Sequence, residues 1–575
     1  MSEGDARSRI RDHLAFLYGG ERAAPVAQRL LATLQAFRRE HPELGSAPAD
    51  RLTERDVILI TYGDQFREPG RQPLQTLADV MGATLRGVVG GVHILPFYPY
   101  TSDDGFSVID YAAVDPLLGE WADLEPLRAG YRLMFDAVIN HISAQSDWFQ
   151  AFLRGDAGAE SRFIVIDPAT DLSLVTRPRT SPLLTPFQTP AGTRYVWTTF
   201  SADQIDLNYA SPELLLEIVD VLLLYVARGA QLIRLDAIGY LWKEIGTRCI
   251  HLPQAHRVVQ LFRAALDAVA PGVLLITETN VPHADNISYF GDGTNEAQLV
   301  YQFPLAPLVL NAFYRGSARH LAAWASELAP PSASTTFFNF LASHDGIGVV
   351  PASGILSADE VAELVARTAT NGGMVSYKAN PDGTQSPYEL NITLFDALSD
   401  PHDASESHAR QVDRFVAANA IMLALQGVPG IYVHSLFGSH NHHAGVAQSG
   451  RARSINREKW DRAELERRLA NPQAHEHIVL DRIARLIAIR RGERAFHPSG
   501  AQRVIDAGDG LFVFSRSSPE GREQILCVHS VSGQPQALRL PAGAALTDLV
   551  GGASYQAGPG GLAVDVAPYQ VLWLK

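Results

Sequence analysis

The chain is poor in cysteine, in long apolar runs and in net positive charge. Cys249 and Cys527 are the only cysteines in 575 residues. That leaves no disulfide framework and fits a reducing compartment. No apolar run reaches the length a bilayer demands, and Met1-Ser-Glu-Gly-Asp-Ala-Arg lacks the basic-then-apolar order of a secretory leader. The expected setting is cytoplasmic, with no membrane partner. Basic residues number 48 against 62 acidic ones, a formal charge of −14. This disfavours nucleic acid as a partner but leaves room for a small anion held by local arginines. No nucleotide-binding loop and no cluster of metal ligands stands out, and Gly90-Gly91 is too short to cradle a phosphate. At 46% apolar and 19% charged residues, the chain has enough material for a large core.

What the chain does have is a series of short apolar runs, several ending in ionisable residues. Residues 131–135 precede Asp136, 230–235 carry Arg234 and precede Asp236, 273–277 precede Glu278, and 336–341 precede His344 and Asp345. Runs of this kind predict parallel strands buried on both faces, and the C-terminal ends of such strands are where α/β proteins place active sites. Further strand-like runs cover 57–62, 88–96 and 430–434, with helical segments such as 211–227 and 255–269 between them. Roughly eight strand–helix repeats predict an α/β protein, a (β/α)₈ TIM barrel over 55–495. Two insertions interrupt it, at about 146–208 and about 345–405. Residues 1–54 read as a helical extension, and 496–575 as a C-terminal antiparallel β-sandwich.

Five motifs in order resemble glycoside hydrolase family 13, the α-amylase superfamily: Asp136-Ala-Val-Ile-Asn-His141, Gln204-Ile-Asp-Leu-Asn208, Arg234-Leu-Asp-Ala-Ile238, Thr277-Glu278 and Ser343-His344-Asp345. Thr61-Tyr-Gly-Asp64, the run from His93 to Phe106, Arg177-Pro-Arg179, Trp197-Thr-Thr-Phe200 and Ser454-Ile-Asn-Arg457 resemble its sucrose phosphorylase branch. The resemblance implies B and B′ subdomains in the two insertions. It implies glucose-binding roles for Asp64, His93, His141, Phe200, Gln204, His344 and Arg453. Arg179 resembles a phosphate-binding arginine, Tyr240 matches a tyrosine at the same site, and Tyr388 is retained from an acceptor loop. Asn140 aligns with a calcium-linked position of amylases, yet the branch does not generally need the metal. No metal and no cofactor are expected.

Residue type argues the chemistry as well. Retaining cleavage of an α-glucoside needs a carboxylate nucleophile and a carboxylic acid close together. Asp236 is the candidate nucleophile, kept ionised by Arg234 on the same strand face. Glu278 is the candidate acid/base, and Asp345 the candidate stabiliser of the charged transition state. Asp136 reads either as a structural ion pair or as a catalytic group. In the acceptor loop Ser386 and Glu389 replace an acid and a glutamine of the sucrose pattern, which resembles the glucosylglycerate phosphorylases of the branch. An acceptor carboxylate calls for basic residues, with Arg177 and Arg179 first and His442 and His443 behind them. The leading expectation is a double-displacement phosphorylase acting on small molecules as a monomer or homodimer. The alternatives are a sucrose, sucrose 6′-phosphate or glucosylglycerol phosphorylase, an α-glucosidase or transglucosidase, and an inactive scaffold.

Overall fold

In the computed structural model, the apolar runs form a closed barrel of eight parallel strands in sequence order. The structure describes residues 3–575 apart from 180, 381–382, 401–402, 404, 542–544 and 559–560. The strands are β1 (Ile58–Thr61), β2 (Gly91–Ile94), β3 (Arg132–Ala137), β4 (Ala230–Leu235), β5 (Leu274–Thr277), β6 (Leu299–Tyr301), β7 (Thr336–Asn339) and β8 (Val428–Tyr432). Pairing of Ile58 with Gly430 and of Ile58 with Gly91 closes the ring. Every residue of β1, β2, β5, β7 and β8 is buried, as expected of strands lined by side chains inside and helices outside.

Two strand readings need correction. β6 was not among the apolar runs: its three residues lie between Gln298 and Gln302 and pair with β5 at only Ile276–Leu299 and Thr277–Val300. Val433 and His434, read as the end of the last strand, begin the helix Val433–Phe437.

The N-terminal helices α1 (Glu3–Tyr18) and α2 (Gly20–Glu40) pack against the outside of the barrel. Arg9 bonds Asp267 at 2.9 Å, and the Tyr18 hydroxyl donates to the Tyr209 carbonyl at 2.9 Å. At the other end of the chain, Gln502–Ile505, Leu511–Ser517, Gln524–Ser530 and Val571–Leu574 form an antiparallel sheet beside two two-stranded antiparallel sheets. Its alternation serves two cores. Leu511 and Val513 join a separate C-terminal cluster, while Phe512 and Phe514 point into the main core. No described helix is long and apolar enough to cross a membrane.

Both insertions are built structures that form walls above the barrel. The first contains the helix Asp147–Arg154, the hairpin Leu184–Thr189/Gly192–Trp197, and the strand Gln204–Asp206, which pairs antiparallel with His141–Ser143 just beyond β3. The second contains Ile347–Gly348, Gln385–Asn391 and Met374–Ala379 in one sheet, with the helix Ala358–Thr370 started by a Ser357–Glu360 capping box.

The barrel interior leaves no room at Gly430 on β8, where an added Cβ would come within 2.4 Å of the Phe338 ring. Gly430→Ala should cost about 1–3 kcal/mol through overpacking, seen as a lower Tm. An unchanged Tm would show that this layer repacks freely.

Candidate active site

The site is built around the guanidinium of Arg234. It lies on β4 in register with Asp136 on β3, so both side chains enter the same end of the barrel. Arg234 ion-pairs with Asp136 and bonds Asp236 at 2.7 Å, while Glu278 lies 3.9 Å away. Its planar head lies near the rings of Phe106 and Tyr301, 5.6 and 5.5 Å from their centres. His93 donates from below to Asp136, Nε2 to Oδ2 at 2.6 Å. Burial would raise the pKa of Asp136, but Arg234 and His93 outweigh it and hold the carboxyl below its ordinary value. Asp136 is thus the buried counter-ion of Arg234 and does not line the cleft.

The two central carboxyls differ in their surroundings. Burial pushes Glu278 up to about 8, opposed by Arg234 and assisted by the charges of Asp236 and Asp345. Burial also raises Asp236, opposed by Arg234, which bonds it directly at 2.7 Å. After Asp236 the backbone turns at Ala237 with φ of 50°, a left-handed conformation that a non-glycine residue adopts at a cost. Ala237 N–H donates to Glu278 Oε2 at 3.3 Å, so the same turn orients both acids.

Asp345 closes the opposite side. Burial would raise it, yet Arg453, bonded at 2.6 Å, together with His344 and Arg457, brings its pKa down. Burial pushes His344 down to about 3, leaving a neutral ring stacked on Phe106 at 4.9 Å. Arg453 also grips Glu389 through two bonds, of 3.1 and 2.6 Å. Glu389 and Tyr388 are neighbours on one strand, and successive strand residues ordinarily face opposite ways. Here the register slips: Ser376 pairs with Glu389 and Tyr377 with Pro387, so Tyr388 is an extra, bulged residue and both side chains line the cleft. The first insertion supplies Arg179, Phe200 and Gln204, and Phe200 lies between His141 and Tyr240, 5.3 and 5.5 Å from their centres.

The cleft therefore brings together Asp236, Glu278, Asp345, His141, Phe200, Gln204, Arg234, Tyr240, His344, Tyr388, Arg453, Arg179 and Glu389. Six expected residues lie outside it. Asp64 faces a neighbouring groove, bonded to Lys459 at 2.5 Å and Arg67 at 2.9 Å. His93 sits one layer below, acting on the cleft only through Asp136. Arg177 is exposed and turned back onto the Ser181 carbonyl, and Ser386 donates to Asn380 at 3.1 Å. His442 and His443 are absent from the cleft as well. Sequence reasoning missed Asp103, Phe106, His251 and Asn280, all of which line it. Asp103 and Phe106 lie within the run quoted from His93, but Asp103 and Asp104 both have positive φ. That backbone turns Asp103 to the cleft and Asp104 towards Arg457. Beside the cleft the Lys243 ammonium bonds Asp206 at 2.6 Å, Asn140 at 3.0 Å and the Tyr240 carbonyl, which places a fixed cation next to Asn140.

Residues 87–353 match the family described as alpha amylase, catalytic domain. The chain is 54% identical over 532 residues to a glucosylglycerate phosphorylase of Allomeiothermus silvanus, covering 92% of this chain and 94% of that protein. It is 46% identical to a glucosylglycerate phosphorylase of Spirochaeta thermophila, covering 98% of each. The fold is similar to the crystal structure of sucrose 6F-phosphate phosphorylase from Thermoanaerobacter thermosaccharolyticum, with a TM-score of 0.72 at 24% identity over 89% of this chain and 98% of that one.

A proton donor poised at about 8 sets a pH limit. Cleavage of an alkyl α-glucoside should fall as pH rises through about 8, because Glu278 then loses the proton it must give. α-Glucosyl fluoride, whose leaving group needs little protonation, should not show that alkaline limb in its cleavage step. The same alkaline limb for both substrates would remove Glu278 from the role of acid.

Proposed function

The chain belongs to the α-amylase family, glycoside hydrolase family 13, and from that premise we propose that it is a retaining α-glucoside phosphorylase. The substrate class is a small α-glucoside whose leaving part carries a carboxylate, with glucosylglycerate favoured. In the first step an oxygen of ionised Asp236 attacks the anomeric carbon. The glycosidic C–O bond breaks, and Glu278 gives its proton to the departing oxygen. In the second step a phosphate oxygen attacks the same carbon, the ester to Asp236 breaks, and Glu278 takes up the phosphate proton. The product is α-glucose 1-phosphate, and the sequence runs in reverse with glycerate as acceptor. Asp345 and its partner Arg453 stabilise the positive charge that develops at the sugar ring.

The observation that carries the phosphorylase reading is Arg179. It lines the cleft 6.0 Å from the Tyr388 ring centre and has no carboxylate partner among the described residues. The expected acceptor-loop acid, Glu389, is bonded to Arg453, which leaves the Arg179 guanidinium open to an anion. That balance favours phosphate and a carboxylate over water or a neutral sugar. The two relatives named glucosylglycerate phosphorylase support the same choice. A cytoplasmic setting belongs to this reading, supported by two free, buried thiols.

With α-glucose 1-phosphate as donor, phosphate should be released faster with D-glycerate than with glycerol, fructose or fructose 6-phosphate. Fructose outrunning D-glycerate would make the protein a sucrose phosphorylase, and water as sole acceptor would end the phosphorylase reading. Arg179→Ala should weaken phosphate use by about 2–5 kcal/mol, far more than it weakens hydrolysis. Asp236→Asn should lower turnover by roughly 10³-fold or more with little change in Tm. Turnover above a few per cent of wild type, on the order of that scale, would exclude Asp236 as nucleophile.

A further inference from the structure

His251 is a cleft residue that the reaction above does not use. It sits in the segment between β4 and the helix Pro253–Val269, lining the cleft with Gly239, Tyr240, Asn280 and Arg179. Its Nδ1 is 2.9 Å from the hydroxyl of Tyr289, which is completely buried. Its Nε2 is buried and has no partner among the described residues. An orphaned ring nitrogen in a substrate cleft is costly unless a ligand satisfies it.

The direction of that bond follows from the tyrosine. A buried hydroxyl must donate its hydrogen, and the Nδ1 of His251 is the acceptor it has among the described residues. Nδ1 therefore accepts, and the ring's own proton sits on Nε2, which has no partner among the described residues. Burial keeps the imidazole neutral by pushing its pKa down to about 4. His251 thus offers one uncharged N–H donor and no acceptor.

The backbone is shaped to hold the ring there. Cys249 and His251 both adopt left-handed conformations, with φ of 51° and 54°, two costly residues within three. His251 N–H donates to the Gly239 carbonyl at 2.9 Å. A Cβ at Gly239 would come within 2.9 Å of the imidazole Cε1, so a side chain at 239 would displace the ring. The Thr176 N–H donates to the Arg248 carbonyl at 3.0 Å, joining this segment to the one that bears Arg179.

We propose that His251 selects an anionic acceptor, its Nε2–H donating to an oxyanion in the acceptor half of the cleft. That oxyanion is the carboxylate of the acceptor or the phosphate that competes for the same place. Arg179 supplies the charge and His251 a fixed direction, a pairing that holds a planar or tetrahedral anion more strongly than a neutral polyol. The inference rests on the phosphorylase reading and deepens it.

The test uses α-glucosyl fluoride as donor and compares D-glycerate, inorganic phosphate and glycerol as acceptors for wild type, His251→Ala, His251→Gln and Gly239→Ala. In His251→Ala the preference for at least one of the two anions over glycerol, as a ratio of kcat/KM, should fall about tenfold, mainly through KM. A fall for glycerate alone identifies the carboxylate as the ligand, for phosphate alone the phosphate, and for both a shared seat. His251→Gln keeps an N–H donor and should recover part of the preference. Gly239→Ala keeps the histidine but displaces its ring, so it should move the ratio in the same direction even if His251→Ala folds poorly. Equal changes for all three acceptors, or none, would overturn the proposal. If the wild type ignores D-glycerate, the choice of glucoside fails, while the phosphate arm still decides the role of His251.

Discussion

The ion cluster around Arg234 is the interaction on which the rest of the site depends. Three carboxyls converge on one guanidinium, and none of them is tolerable there without it. Removing that guanidinium would strand the carboxyls at a cost of about 3–5 kcal/mol, whereas loss of the Asp236 charge leaves Arg234 still paired with Asp136. The cluster also sets the acids apart. Asp136 is held below its ordinary pKa, whereas burial outweighs the attraction of Arg234 at Asp236, bonded at 2.7 Å, and at Glu278, 3.9 Å away, which is pushed up to about 8. One cation thus faces carboxyls of different basicity on adjacent strands. His93 and the rings of Phe106 and Tyr301 fix that cation in place.

The barrel supplies this half of the site, and the insertions supply the other. Strand ends are rigid, because each is hydrogen-bonded on both sides, so the reacting carboxyls have little freedom. The walls come from segments that themselves needed local devices: the antiparallel pairing that returns Gln204 to His141, and the bulge that turns Tyr388 and Glu389 the same way. Arg453 ties the halves together. It bonds Asp345 from the barrel and Glu389 from the second insertion, so the strand-end acid and the insertion wall share one anchor.

Most strands and the central acids were legible because a buried parallel strand is a continuous apolar run and its end is where polarity returns. β6 was not, since three residues between two glutamines carry no period. The helix Val433–Phe437 was misread because it continues the apolar run of β8 without a break. Side-chain direction in the loops was beyond the sequence. Arg177 and Arg179 are two apart, yet one turns back on its own loop and the other lines the cleft. Asp64 is claimed by Lys459, nearly 400 residues away along the chain, a partner no local pattern announces. His93 does point into the barrel, but alternation gives the direction of a side chain and not its depth.

A charge balance of the cleft connects these facts to the choice of substrate. Asp236 is held by Arg234, Asp345 and Glu389 by Arg453, and Glu278 carries a proton. Asp236, Asp345 and Glu389 are therefore each bonded to an arginine before any ligand arrives, the last two sharing Arg453, while Asp103 has the Gln204 amide at 3.5 Å, and the chain as a whole bears a charge of −14. Arg179 stands apart, positive and without a carboxylate partner among the described residues. Long-range repulsion of an anion by the protein's net charge is screened beyond about 8–10 Å in physiological salt. At contact distance the local cation decides. On the proposed reading, the guanidinium of Arg179 is the group that meets phosphate or the carboxylate of the leaving part.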